Sequence, residues 1–258
     1  MSSQGGGRIL LVGETWLSLG VHQKGFSSYT TGTYEEGHVE WARALTDRGW
    51  TVQHIPNHRA TDDVPWNAEA LEEFDVVVLS DVSADTLQLH PDTLIRGQRR
   101  PDRLAEIARY VAEGGGFLMV GGYMSFSGFE GKARFHGTEV ERILPVRMLG
   151  YDDRCEAPQG VTPTLGAAPH PARGERADWP HFLGYNRLVA DGGEVLLRIG
   201  DDPLLVVGGE GRGRTAAFAS DCSPHWGSPE FMAWEGYGPF WHALLSWLGG
   251  HDSAQVGE

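Results

Sequence analysis

Cysteine is nearly absent, with only Cys155 and Cys222 in 258 residues. Two thiols cannot build a disulfide framework, and neither belongs to a C-x-x-C pair, so a disulfide-stapled scaffold and a structural zinc site are both excluded. Long apolar runs are missing too. Ile9 to Val12, after a Gly-rich start, is too short for a signal-peptide core, and nothing approaches the roughly 20 residues of a membrane span. A cytoplasmic protein without membrane contact is expected. Positive charge is scarce, 21 Lys+Arg against 35 Asp+Glu, and the formal charge of −14 repels nucleic acid and anionic bilayers before a local contact can form. No Walker loop and no G-x-G-x-x-G opening a helix is present, so no nucleotide cofactor is expected.

Glycine is plentiful instead, at 36 residues, roughly twice the average share. With no repeat to absorb it, it belongs in turns and close backbone approaches. The length fits one large domain over residues 1–258, since single cores stop growing near 250–300 residues. Arg8 to Val12, stopped by Gly13-Glu14-Thr15, reads as a buried parallel strand. Glu35 to Arg48 predicts a helix, with Trp41 and Leu45 on one face and Gly49 as C-terminal stop. Trp50 to Ile55 and Asp75 to Asp81 are the next strands. Pro101 opens a helix with Leu104, Ile107, Ala108 and Val111 at helical spacing, and Phe117 to Gly122 is a fourth strand. Strands alternating with helices define a doubly wound, mostly parallel α/β sheet. Residues 151–191 lose all period amid Pro and Gly and read as an irregular excursion. Glu194 to Ile199, Leu204 to Val207 and Thr215 to Ser220 then form an antiparallel meander, followed by a helix from Pro239 to Leu248.

In such a sheet, ligands bind beyond the carboxyl ends of the strands. That rule selects Glu14, Thr15 and Trp16 after the first strand, Asp81 and Ser83 after the third, Tyr123, Ser125 and Ser127 after the fourth, and Asp221, Cys222 and His225 after the last. Gly121 to Gly128 has the character of a strand-to-turn elbow whose N–H groups could face a developing oxyanion. His225 has the pKa range for proton transfer near neutrality, with Asp221 beside it. Lys132 and Arg134 just beyond the elbow, with Lys24 and Arg154, could hold an anionic group. His54 and His58 are four apart, but Pro56 between them implies a strand exit, so no metal is expected.

The segments Gly13-Glu14-Thr15-Trp16, Lys24-Gly25-Phe26, Ile55-Pro56-Asn57-His58-Arg59, Leu79-Ser80-Asp81, Gly121 to Gly128, Glu130-Gly131-Lys132-Ala133-Arg134, Asp152-Asp153-Arg154, Leu183-Gly184-Tyr185-Asn186 and Ser220 to Trp226 resemble bacterial cytoplasmic proteins named putative glutamine amidotransferases. The resemblance spans essentially the whole chain. It implies a flavodoxin-like fold of the class I glutamine amidotransferase-like type, more distantly related to trehalose-utilisation proteins. Class I amidotransferases carry a Cys at the elbow and a His-Pro-Glu near the C-terminus; here Gly122-Tyr123-Met124-Ser125 and Pro224-His225-Trp226 stand instead. Serine without a strong adjacent base does not replace that thiol.

The expectation is an enzyme for a small polar substrate, with catalytic His225, Asp221, Glu14, Tyr123 and Ser125. Trp16, Lys24, Asp81 and Gly122 are expected to bind substrate, together with Lys132, Arg134, Cys222 and Trp226. Two rivals remain open. One is a non-catalytic binding or homo-oligomerisation module using tryptophans 226, 234, 241 and 247; the other is a glutaminase with Cys222 as nucleophile.

Overall fold

A computed structural model describes residues 6–166 and 168–251, so the Gly-rich start as far as Gly5 lies outside the described residues. The strands are β1 (Arg8–Gly13), β2 (Thr15–Lys24), β3 (Ser27–Glu36), β4 (Thr51–Ile55), β5 (Val76–Ser80), β6 (Gly116–Val120) and β7 (Val146–Met148). They continue with β8 (Arg154–Val161), β9 (Thr164–Leu165), β10 (Phe182–Asn186), β11 (Leu188–Ala190), β12 (Glu194–Ile199), β13 (Asp202–Glu210) and β14 (Gly213–Phe218). Eight form one sheet in the order β4-β1-β5-β6-β14-β13-β12-β9. The run from β4 to β14 is parallel and the rest is antiparallel. This is a large mixed, mostly parallel α/β sheet flanked by helices.

The uninterrupted apolar runs of β5 and β6 follow from burial on both faces, since neither strand has a wet side to alternate with. One cover is the helix Arg103–Ala112, which turns Leu104, Ile107, Ala108 and Val111 inward and starts where the Asp102 carboxylate accepts the Leu104 N–H at 3.0 Å. Another is Tyr237–Leu248, which buries Phe240, Trp241, Leu244, Leu245 and Leu248. Trp226 and Trp241 lie in the interior at 1% and 0% exposure, so the tryptophan interface expected from the sequence is not on the surface at these positions.

Three expectations need correction. The first helix is Val39–Thr46, shorter than Glu35 to Arg48, because Glu35 and Glu36 pair with Trp16 and Thr15 in a ribbon of β2 and β3. Its two-residue loop begins with Gly25 at φ +59°, a backbone state that tight hairpins give to glycine. The helix opened by Pro101 begins at Arg103, with Pro101 outside it. Residues 151–191 are not irregular throughout. β8 pairs with β10, β11 pairs with β7, and β9 joins the edge of the main sheet. A two-stranded ribbon has edges on both sides, so Pro158 fits within β8 and masks its period in the sequence.

Phe218 couples these layers, with ring centroids 5.8 Å from Phe182, 5.6 Å from Phe240 and 5.1 Å from Trp241. Phe218→Ala is expected to cost about 3–5 kcal/mol, read as a lower urea midpoint with an unchanged slope.

Candidate functional site

The loops after β1, β5, β6 and β14 meet around a cavity of about 500 Å³ lined by Glu14, Trp16, Asp81, Tyr123, Met124, Phe129, Asp221 and His225. β1 and β5 flank the point where strand order reverses, the usual ligand position in this architecture. The Glu14 N–H donates to the Ser80 carbonyl at 2.9 Å, which ties the two strand ends together. Asn57 adds a brace: its amide donates to the Thr15 carbonyl at 2.6 Å and the Asp81 carbonyl at 3.1 Å. Glu14, Asp81 and His225 have φ of +53°, +48° and +144°. Three side-chain-bearing residues in a glycine-favouring region at one cavity is the pattern of backbone strain held for a purpose.

The electrostatics are those of crowded acids. Glu14 is buried, and burial, reinforced by the Asp221 and Asp81 carboxylates, pushes it well above the usual range. The Ser80 hydroxyl, donating to it at 2.6 Å, offsets part of this. Asp81 is pushed up to about 6, by burial first and Asp221 next. Asp221 accepts the Ser223 N–H and hydroxyl, each at 3.0 Å, and faces His225 Nδ1 at 3.6 Å. That carboxylate raises the His225 imidazole above its ordinary pKa against the opposing effect of burial. Tyr123 stands edge-on to His225 at 4.5 Å and donates its hydroxyl to Glu156 at 2.8 Å. Glu14, Asp221 and Cys222 place one donor atom each within 4.8 Å of one another, the grouping among the described residues closest to a metal-ligand set.

The turn after β6 does not offer an oxyanion hole. Asp81 takes the Met124 N–H at 2.6 Å and also draws on the Tyr123 N–H. Gly122 N–H donates to Asn186 Oδ1 at 3.0 Å, and Gly121 N–H donates to the Phe218 carbonyl at 2.8 Å. The donors that would meet an oxyanion are already committed to the protein's own oxygens. Nor does a helix follow β6 directly, as a nucleophile elbow requires. Ser125 is buried, and its hydroxyl accepts the Asp81 N–H at 3.0 Å, so it braces the turn and does not line the cavity.

The other expected residues divide clearly. Trp16 and Asp81 line the cavity. Gly122 lies behind Asp81: at φ +147°, a Cβ there would come within 2.8 Å of Asp81 Oδ1. Lys24 is at the far end of β2, Lys132 pairs with Glu130 at 2.5 Å, and Arg134 faces Asp85 at 3.4 Å, so this basic set does not converge. Arg154 instead stacks over Phe129 at 3.9 Å and Tyr123 at 4.8 Å, and bonds Asp152 at 2.7 Å. Cys222 is buried, its thiol raised well above the normal range by burial and by Glu14 and Asp221. Trp226 donates to Glu156 at 3.1 Å from beneath Tyr123. His54 bonds the Gly13 carbonyl at 2.8 Å while His58 packs edge-on to Tyr34, so the two do not share a ligand.

Sequence reasoning missed Met124 and Phe129 as lining residues, and also Gly37, where a Cβ would meet Glu14 Oε2 at 2.7 Å. It also missed the inner brace of Asn186 and Asp153. The Asn186 amide donates to Asp153 at 2.7 Å, and Asp153 accepts the Ser127 and Gly128 N–H groups at 2.9 and 3.0 Å. Asp153 and Asn186 lay inside segments quoted for the family resemblance, which was the available signal.

A doubly wound sheet with this rim defines a protein of the glutamine amidotransferase-like class. The sequence profile of the putative glutamine amidotransferase family matches residues 8–250, and the chain belongs to that family. Two cytoplasmic proteins of Salmonella typhimurium have closely similar structures. One is 40% identical at TM-score 0.90, covering 93% of this chain and 98% of its own. The other, from strain LT2, is 44% identical at TM-score 0.90, covering 93% and 99%. A ThuA-like protein of Parabacteroides merdae shares the fold at 11% identity and TM-score 0.56, covering 95% of this chain and 91% of its own. No curated protein matches the chain. No helix among the described residues is long and apolar enough to cross a membrane.

The crowded acids carry a pH signature. Asp81 titrates near 6 in the fold against an ordinary 3.8, so its contribution to stability is complete below about pH 4 and is lost as pH rises through about 6. Asp81→Asn is therefore expected to raise the melting temperature at about pH 8 by at least 2–4 °C relative to its effect at about pH 4, measured by calorimetry at both pH values.

Proposed function

We propose that the protein is a cytoplasmic enzyme that acts on a small polar substrate by acid–base chemistry in the 500 Å³ cavity. The observation that carries this reading is the meeting of Glu14, Asp81 and the Asp221–His225 pair at one cavity, three of them on strained backbone. Asp221 faces Nδ1 of His225 and supports the imidazolium. Nε2 is then the atom that exchanges a proton with substrate, the division of labour used wherever a carboxylate orients a catalytic histidine. Glu14, whose proton affinity is raised by burial and like charge, is the second acid, and Asp81, near 6, is the group able to change state during turnover. Trp16, Tyr123 and Phe129 supply flat apolar walls against which a small molecule is oriented.

Glutamine hydrolysis through a thioester is not part of this reading. It needs a thiolate at the elbow and free N–H donors beside it. The turn from Gly121 to Gly128 holds no thiol, Asp81 takes the Met124 N–H, Asn186 takes the Gly122 N–H, and Cys222 is buried with its thiol raised well above its ordinary range. Hydrogen bonding and burial here serve proton transfer in place of covalent capture.

A panel of small polar metabolites is the direct test, read by thermal shift for binding and by mass spectrometry for conversion. His225→Ala and Glu14→Gln are each expected to lower turnover of a converted compound by about 10²–10⁴-fold while the far-UV spectrum is retained; unchanged turnover in both variants would sink the proposal. Alkylation with iodoacetamide at about pH 8 addresses the thiol. Cys222 is expected to remain unlabelled in the folded protein and to react only in denaturant, and rapid native labelling would restore a nucleophilic role.

A further inference from the structure

Beyond its base, where Trp16 lines the cavity and Tyr34 meets His58, the ribbon of β2 and β3 is exposed. Both strands are ten residues long, and all of β3 and most of β2 are exposed. Pairing puts Leu17 opposite Tyr34, Leu19 opposite Gly32 and Val21 opposite Thr30, so one face carries apolar side chains through the middle of the ribbon, between Thr15–Glu36 at its base and Gln23–Ser28 near its tip. Leu17, Leu19 and Val21 are 63%, 66% and 74% exposed, and Phe26 at the tip is completely so. A two-stranded ribbon is marginal in water without something to cover its apolar face. Left open, such a surface is an aggregation hazard.

Charge and length point to what covers it. From Thr15 to Tyr34 there is no carboxylate, and Lys24 is the one charged residue. The acidic charge of the chain therefore rests entirely on the remainder, and two copies meeting body to body repel each other. The ribbon can approach an acidic body without that penalty. Ten residues extend about 33 Å, against a radius of gyration of about 18 Å for a domain of this length. An arm of that reach is long enough to lie across a neighbour. Its twenty residues also match the 20–30 that each side of a stable interface contributes.

We propose that the β2–β3 ribbon is an exchange arm that lays its Leu17, Leu19, Val21 and Tyr34 face on a second copy of this chain, while that copy returns its own arm across a two-fold axis. Reciprocal exchange buries both apolar faces and closes the assembly, which a one-way contact would not do. The two strands of the arm start and end beside Glu14, through Thr15 and Gly37, so each arm also links a site to the neighbouring subunit.

Sedimentation equilibrium of the wild type at about 1–50 µM is the test. The expected result is a dimer or a higher even-numbered assembly. Burying a charge in place of these side chains is strongly unfavourable, so the Leu19→Asp/Val21→Asp double variant should weaken association by at least on the order of 100-fold and run as a monomer, with wild-type circular dichroism and melting. Val21→Lys, remote from the core, is a second variant with the same expectation. A monomeric wild type at every concentration overturns the proposal, including the case in which another protein occupies the arm. Either folded variant assembling as the wild type does overturns it equally.

Discussion

The mutual repulsion of Glu14, Asp81 and Asp221 at adjoining strand ends organises the centre of this protein, because three carboxylates can share so small and dry a region only if each is answered individually. Ser80 answers Glu14, Ser223 answers Asp221, and the backbone of Met124 answers Asp81. What these bonds do not neutralise emerges as raised proton affinity in Glu14 and Asp81. Raised proton affinity at the rim thus follows from where the sheet places its acids. The helices and the outer ribbons hold the strand ends in that register.

This arrangement separates ancestry from chemistry. Membership of a family called putative glutamine amidotransferase rests on the whole chain, and the sheet order and rim agree with it. Thioester chemistry would depend on two local features, a reactive thiol at the turn after β6 and unoccupied N–H groups beside it. Neither is present here: the turn from Gly121 to Gly128 holds no cysteine, and its N–H groups are taken by Asp81 and Asn186. The Asp81 carboxylate from the neighbouring strand end instead holds the backbone of that turn in place.

The sequence made the sheet legible wherever burial on both faces removes ambiguity, as in Val76 to Ser80 and Phe117 to Val120, and the inward faces of the helices Arg103–Ala112 and Tyr237–Leu248 were equally plain, though not where the helices begin. It was opaque where an element has no core to face. The β2 and β3 ribbon alternates correctly, yet its glycines and threonines make a weak pattern, and the following helix absorbed Glu35 and Glu36 in the reading. β8 and β10 were hidden by Pro158 and by the lack of a buried partner on one side. At the cavity, strand-end logic named Glu14, Asp81, Tyr123, Asp221 and His225 without any contact information. It could not see that Ser125 and Cys222 point into the protein, or that Lys24, Lys132 and Arg134 are dispersed, because side-chain direction in loops is set by φ/ψ values that composition does not encode.

Asn186 illustrates how tightly this interior is specified. Its Oδ1 accepts from Gly122 N–H, while its Nδ2 donates to the Gly122 carbonyl at 3.2 Å and to Asp153 at 2.7 Å. The side chain therefore reads a donor with one end and acceptors with the other. Aspartate has the same volume and would satisfy the first contact, but it would set an anion against Asp153 and against a carbonyl oxygen. Leucine would strip Gly122 N–H of its acceptor and remove a donor from both the Gly122 carbonyl and Asp153. The position discriminates amide from acid and from hydrocarbon, a chemical selectivity exercised by the protein upon its own sequence, because only an amide offers the turn an acceptor and a donor from one side chain.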